Sequence, residues 1–160
     1  MKMKRLMSVA ALAILALVVV VMAGCKSSGM AITSRGQLLK ININHPMDLA
    51  DNDSADLDVV VSNRGVKSVS NVMVDIEMPS QLVVLDEAHG RGVNPMHDAG
   101  SNVYHYTLSE VHPAGNTTFH YKVRTAFGTM SETGSVKVTA WQTDLPGDKL
   151  VETAVIKLRR

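Results

Sequence analysis

The sequence predicts an all-β chain, an antiparallel sandwich of about seven or eight strands. Three observations carry that expectation. From Gln37 onward Val, Ile and Thr recur on alternate positions, the period of a half-buried strand. The alternating stretches are short and separated by Gly, Pro, Asn or Asp, the residues of turns. Almost nothing shows the three-and-four spacing of an amphipathic helix. A strand that buries only every second residue needs a second apolar layer over that face, which many short strands supply as two stacked sheets, with a closed barrel as the alternative.

Residues 38–43 open the series. Leu57, Val59 and Val61 then alternate with Asp58, Val60 and Ser62, and Asn63-Arg64-Gly65 marks a turn. Val72, Val74 and Ile76 alternate with Met73, Asp75 and Glu77 until Pro79-Ser80 ends the run. Leu82 and Val84 begin another strand. Residues 88–102, with Gly90, Gly92, Gly100 and Pro95, read as the longest connection. Tyr104, Tyr106 and Leu108 alternate with His105 and Thr107, and Phe119, Tyr121 and Val123 with His120, Lys122 and Arg124. Val136 and Val138 alternate with Lys137 and Thr139, and Ala154, Ile156 and Leu158 with Val155 and Lys157. All five prolines (Pro46, Pro79, Pro95, Pro113, Pro146) fall between these runs, where a missing amide costs no ladder bond.

The turn region 111–116 predicts a hairpin. Pairing Tyr106 with Phe119 and Tyr104 with Tyr121 sends the rings inside, and it sets His105 opposite His120 on the wet face. Aromatic cross-strand pairs of this kind contribute roughly 0.2–1 kcal/mol each.

Several short motifs run in register along the chain: Val59-Val60-Val61-Ser62-Asn63-Arg64-Gly65, Asn71-Val72-Met73-Val74, Met78-Pro79, Tyr106-Thr107-Leu108, His112-Pro113-Ala114-Gly115 and Thr153-Ala154-Val155-Ile156. In order and spacing, from about residue 37 to 158, the chain resembles the immunoglobulin-like repeat domain of unknown function found in bacterial surface and outer-membrane proteins. It departs from that pattern at Arg64, where a small residue is usual, and at Tyr106, where tryptophan is frequent. The resemblance implies an immunoglobulin-like sandwich in a cell-envelope protein. The family tends to occur in tandem, whereas this chain carries one copy, which weakens the idea of a long stalk.

The N-terminus reads as an address. Lys2, Lys4 and Arg5 precede an uncharged apolar run over 9–22, the layout of a secretory signal peptide and too short for a membrane span. The run ends at Val21-Met22-Ala23-Gly24-Cys25, which resembles the bacterial lipobox, with Met22 where leucine is commoner. Cys25 is the one cysteine of the chain, so no intrachain disulfide forms and the thiol stands where lipidation needs it. The organisation expected is a signal peptide over 1–24, a lipidated Cys25 with a flexible tether over 25–36, and the sandwich over 37–160. Acyl chains at ~0.8 kcal/mol per buried methylene make release from the membrane negligible. In a bacterium with two membranes, Lys26 after the cysteine resembles an outer-membrane sorting signal.

Sixteen Lys and Arg balance fifteen Asp and Glu, and without Lys2, Lys4 and Arg5 the remainder holds 13 basic against 15 acidic residues, near −2. Bulk charge therefore does not recruit nucleic acid. Six histidines raise the question of metal. His105 and His120, opposed on one face, would offer two imidazoles to zinc or copper but lack a local third ligand. Met96-His97 offers a soft donor beside a nitrogen donor. Asp48, Asp51, Asp53 and Asp56 supply oxygens of the kind calcium takes, without the glycine and glutamate positions of an EF-hand loop. Solvated histidines and a solvated acidic turn are the plainer reading of these groups.

No serine sits in the G-x-S-x-G frame of a nucleophile elbow, no phosphate loop appears, and Asp58, Asp75 and Glu77 fall on outward positions. The expectation is therefore a non-catalytic binding or assembly module with no cofactor beyond the covalent lipid. Its partners would be the membrane through that lipid and another envelope protein or a surface polymer. Recognition would run through a sheet edge or the end loops. Trp141, outward beside Thr139 and Lys137, is either a partner contact or a ring folded over the sandwich edge where its strand ends, and His105 and His120 are also on the wet side. A metal-binding envelope protein using surface histidines is the alternative.

Overall fold

A computed structural model of the chain describes residues 26–32, 38–97, 100–126 and 132–159. The signal segment, Cys25 and residues 33–36 of the expected tether lie outside the described residues. Every regular element described is a strand: β1 (Lys26–Ile32), β2 (Leu38–Asn44), β3 (Asp48–Ala50), β4 (Ser54–Asn63), β5 (Val69–Glu77), β6 (Leu82–His89), β7 (Val93–His97), β8 (Val103–Val111), β9 (Asn116–Thr125), β10 (Thr133–Gln142) and β11 (Leu150–Arg159). They form two sheets, a five-stranded one ordered β1-β2-β4-β9-β6 and a six-stranded one ordered β3-β11-β10-β5-β8-β7. All pairings are antiparallel except the short parallel contact of β3 with β11. The fold is a β-sandwich, as the alternation predicts, and an immunoglobulin-like one, as the family resemblance implies.

The inward positions are the ones period two assigns. Ile41 and Ile43 of β2, Leu57, Val59 and Val61 of β4, and Phe119, Tyr121 and Val123 of β9 face Val72, Val74 and Ile76 of β5 and Val136 and Val138 of β10, all fully buried. Burying a Val, Leu, Ile or Phe side chain is worth roughly 1.5–3 kcal/mol, and the strands contribute these in facing rows.

Three strands exceed the expected set. Residues 26–32, expected as tether, pair with β2 along their length, from Lys26 opposite Asn44 to Ile32 opposite Leu38. The three residues of β3 add to the end of β11. β7 occupies part of the expected long connection and pairs with β8, which places Pro95 inside a strand rather than between strands. Proline is tolerated there because β7 is a sheet edge.

The expected hairpin of β8 with β9 does not form. β8 lies between β5 and β7, and β9 between β4 and β6, so the two strands belong to different sheets. The ring contacts survive in another geometry: Tyr104 meets Tyr121 at 5.4 Å and Tyr106 meets Phe119 at 4.6 Å between ring centroids. They meet across the core rather than along a ladder.

The reason lies in Asn63, which is fully buried at the end of β4. Its Nδ2 donates to the Val111 carbonyl at 3.0 Å and the Lys67 carbonyl at 2.7 Å, and its Oδ1 accepts from the Gly65 amide at 2.8 Å. Its backbone amide bonds the Gly115 carbonyl, and its carbonyl accepts from the Ala114 amide, both at 3.0 Å. Ala114 takes a positive φ of 58° in that turn. These bonds hold the β8–β9 connection against β4, so the chain crosses from one sheet to the other instead of folding back on itself.

A bulge between Val84 and Asp86 resets the parity of β6. Beyond it, His89 stacks edgewise on Tyr106 at 5.9 Å and the Glu87 carboxylate faces the Tyr106 hydroxyl. Tyr106 and Tyr121 join their hydroxyls at 2.7 Å inside the core. Burial is the main cause that pushes the Tyr106 hydroxyl up to about 12 and the Tyr121 hydroxyl further still. Both stay neutral at any physiological pH, as a buried phenol must.

Candidate functional site: the outer face of the six-stranded sheet

The register of the six-stranded sheet builds its solvent face in rows. Trp141 of β10 stands opposite Met73 of β5, Met73 opposite Thr107 of β8, and Thr107 opposite Asn94 of β7. The Thr107 hydroxyl points its proton at the Met73 sulfur at 3.3 Å. In the adjacent row Val151, Thr139, Asp75, His105 and Met96 follow one another across five strands. Lys137 and Glu77 form an ion pair at 3.2 Å in the row beyond.

This face combines a half-buried indole with apolar side chains that stay in water. Val151, Val155 and Met96 are each about half exposed, at 49%, 51% and 50%. The Lys149 ammonium lies 4.3 Å from the centre of the Trp141 ring. That contact is worth about 0.5–1 kcal/mol at an exposed site, small enough for a partner to displace it.

His105 lies on the same face as Trp141, two strands away. Its Nδ1 is 2.6 Å from the Asp75 carboxylate, which orients the ring. His120 does not lie there. It projects from the outer face of the five-stranded sheet, with Nδ1 at 2.6 Å from Asp58 and Nε2 at 3.7 Å from Asp56. The hydrogen bond to Asp58 raises the His120 pKa above its ordinary value, with the charges of Asp58, Asp56 and Asp86 adding to it and partial burial opposing.

The expected opposition of His105 and His120 is therefore corrected. With stacked sheets roughly 10 Å apart and both rings pointing away from the core, the two imidazoles have no shared ion to hold. The acidic cluster disperses as well. Asp48 pairs with Arg159, Asp51 accepts the Thr125 hydroxyl at 3.3 Å, and the Asp53 amide closes a turn onto Ala50 through Asn52, whose φ is 66°. Asp56 faces His120. Met96 sits on the edge strand opposite His105 rather than in a loop. The side chain of His97 is outside the described residues. Among the described residues no three metal-ligating side chains converge.

Met73 and Lys149 complete the Trp141 surface, and neither was singled out from the sequence. The outward parity of Met73 was readable, and its place beside Trp141 follows only once β10 is known to pair with β5. Lys149 reaches the ring across the β10–β11 turn, eight residues along the chain.

No protein-family model and no curated protein matches the chain. Solved structures do resemble it. The RrgA Jo.In complex aligns at 14% identity over 82% of each chain with a TM-score of 0.58. AvmM, which catalyses macrocyclization in alchivemycin A biosynthesis, aligns at 15% identity over 78% of this chain and 88% of its own, with a TM-score of 0.49. The cohesin module of a Clostridium perfringens family 33 glycoside hydrolase aligns at 8% identity over 86% of this chain and 98% of its own, with a TM-score of 0.48. The likeness to RrgA is one of fold, and at such identity fold does not decide function.

Proposed function

We propose that this chain is a lipid-anchored, non-catalytic module of a bacterial cell envelope that binds another envelope protein or a surface polymer. The outer face of the six-stranded sheet would be the contact surface. The observation that carries this reading is the row of Trp141, Met73, Thr107 and Asn94, an aromatic anchor set among adaptable polar groups on a rigid sheet. The half-exposed Val151 and Met96 extend it in the next row. Cys25 would carry the lipid, and the outer membrane would be the site of anchoring in a two-membrane host.

Edge pairing serves less well on the side where β6 and β7 end the two sheets. The bulge in β6, followed by Asp86 and Glu87, and Pro95 in β7 blunt both edges against an added strand. Recognition there falls to the face. Two experiments test the reading. Labelled palmitate enters the wild-type chain and not Cys25→Ser; entry into both contradicts the anchor. Cross-linked capture of envelope partners falls about tenfold in Trp141→Ala, the loss of one hot-spot side chain; equal capture removes Trp141 from the interface.

A further inference from the structure

We propose a second site at the end of the sandwich where the β6–β7 and β8–β9 crossovers meet, in which Arg91 grips the carboxylate of an acidic saccharide. Two adjoining depressions of about 360 and 370 Å³ open there, and Arg91, Asn116 and Thr117 line both. Thr118 and His120 belong to the first, Ser109 and His112 to the second. Both crossovers carry the chain between the sheets, so the site draws on each layer.

Arg91 is presented by its neighbours. It is exposed in a turn between Gly90 and Gly92, and Gly92 takes a φ of 76°, a left-handed conformation that glycine reaches without steric cost. No ion pair of the described residues engages its guanidinium. Among the acidic groups nearby, Glu110 lines the second depression and faces His112 at 3.4 Å, while Asp58 and Asp56 face His120 and Asp86 adds its charge to theirs. An unmatched guanidinium offers the planar pair of N–H groups that a carboxylate accepts in parallel.

The groups around it choose the class of anion. Hydroxyls of Ser109, Thr117 and Thr118, the Asn116 amide and the imidazoles of His89, His112 and His120 supply donors and acceptors across the two adjoining depressions, the pattern that ring hydroxyls of a sugar satisfy. Because the chain beyond its first five residues is near −2, the attraction is local to Arg91 and not a field of the whole domain. This inference goes beyond the sheet-face reading. Trp141 lines neither depression, so either proposal can fail alone.

The test is calorimetric titration of the full chain in zwitterionic micelles with a galacturonic acid hexamer. Saturable binding is expected, weaker by about tenfold in Arg91→Ala and weakened again at high salt, as an exposed charge pair requires. Maltohexaose, which has the hydroxyls without the carboxylates, gives no saturable binding. Circular dichroism confirms that Arg91→Ala, a change in an exposed turn, keeps the fold. Absence of binding, equal binding by Arg91→Ala, or equal affinity for maltohexaose overturns the site. Hexaglutamate binding as tightly as the uronate overturns the saccharide assignment.

Discussion

Replacing Asn63 by alanine removes three side-chain hydrogen bonds at one buried point. Two are donated by Nδ2 to the carbonyls of Lys67 and Val111, and one is accepted by Oδ1 from Gly65. A typical intramolecular hydrogen bond contributes about 1 kcal/mol net, and a buried group left without a partner costs about 1–3 kcal/mol. The Val111 carbonyl is such a group, since its bond to Asn63 is buried. The expected loss is therefore about 3–5 kcal/mol, a large share of the ~5–15 kcal/mol that holds an ordinary domain folded. Urea unfolding of the full chain in micelles, followed by circular dichroism, reads it as a fall in midpoint with little change in slope. Asn63→Asp sharpens the case. It keeps the shape and the acceptor for Gly65 but sets a carboxylate against two carbonyl oxygens, so it destabilises at least as much as alanine. A loss below about 1 kcal/mol in Asn63→Ala, or an Asn63→Asp chain as stable as wild type, would show that this side chain does not tie the β8–β9 crossover to β4.

Other outcomes follow from the core and the two outer faces. Tyr106→Phe costs more than Tyr121→Phe, because it strands the Tyr121 hydroxyl in the core whereas Tyr106 still faces Glu87; the double variant costs less than the two single losses together in the same unfolding assay. The Asp58 contact raises the His120 pKa, so its contribution to stability is complete below the ordinary value of 6.5 and is lost as pH rises through the raised folded value. In Asp58→Asn the titration of the His120 ring, followed by NMR, moves down toward that ordinary value, and an unmoved midpoint would contradict the pairing. Calorimetric titration of the full chain with zinc detects no site tighter than micromolar, since His105 and His120 project from opposite sheets; a tight one-to-one site lost in His105→Ala would contradict that separation.

Period two made most of this fold legible, because it fixes which face a residue takes. Leu57, Val59 and Val61 had to turn inward together, and so did Val72, Val74 and Ile76. It does not fix which strand lies beside which. The pairs Tyr104–Tyr121 and Tyr106–Phe119 satisfy the same parity whether β8 and β9 share a ladder or face each other through the core. The outcome was settled by Asn63, whose bonds to Val111 and Gly115 no alternation pattern encodes. The missed strands carry their own explanation. β1 holds Ser27, Ser28 and Gly29, and β7 holds Pro95 near Gly92, compositions that propensity assigns to coil and that edge pairing overrides. At the candidate site the outward position of Trp141 could be read directly. Its company could not, since Met73 arrives through a non-local pairing and Lys149 across a turn. Arg91 gave no signal beyond the two glycines beside it, because its importance rests on two distant crossovers ending side by side.

In the proposed function, the outer face of the six-stranded sheet is where this chain meets its partner. A photoreactive side chain placed at Met73, opposite Trp141, and another at Asn42 on the outer face of the five-stranded sheet test it within one membrane preparation. Position 73 is expected to give a discrete cross-linked product that disappears in Trp141→Ala, and position 42 to give none. The same product from both positions, or from position 42 alone, would contradict it.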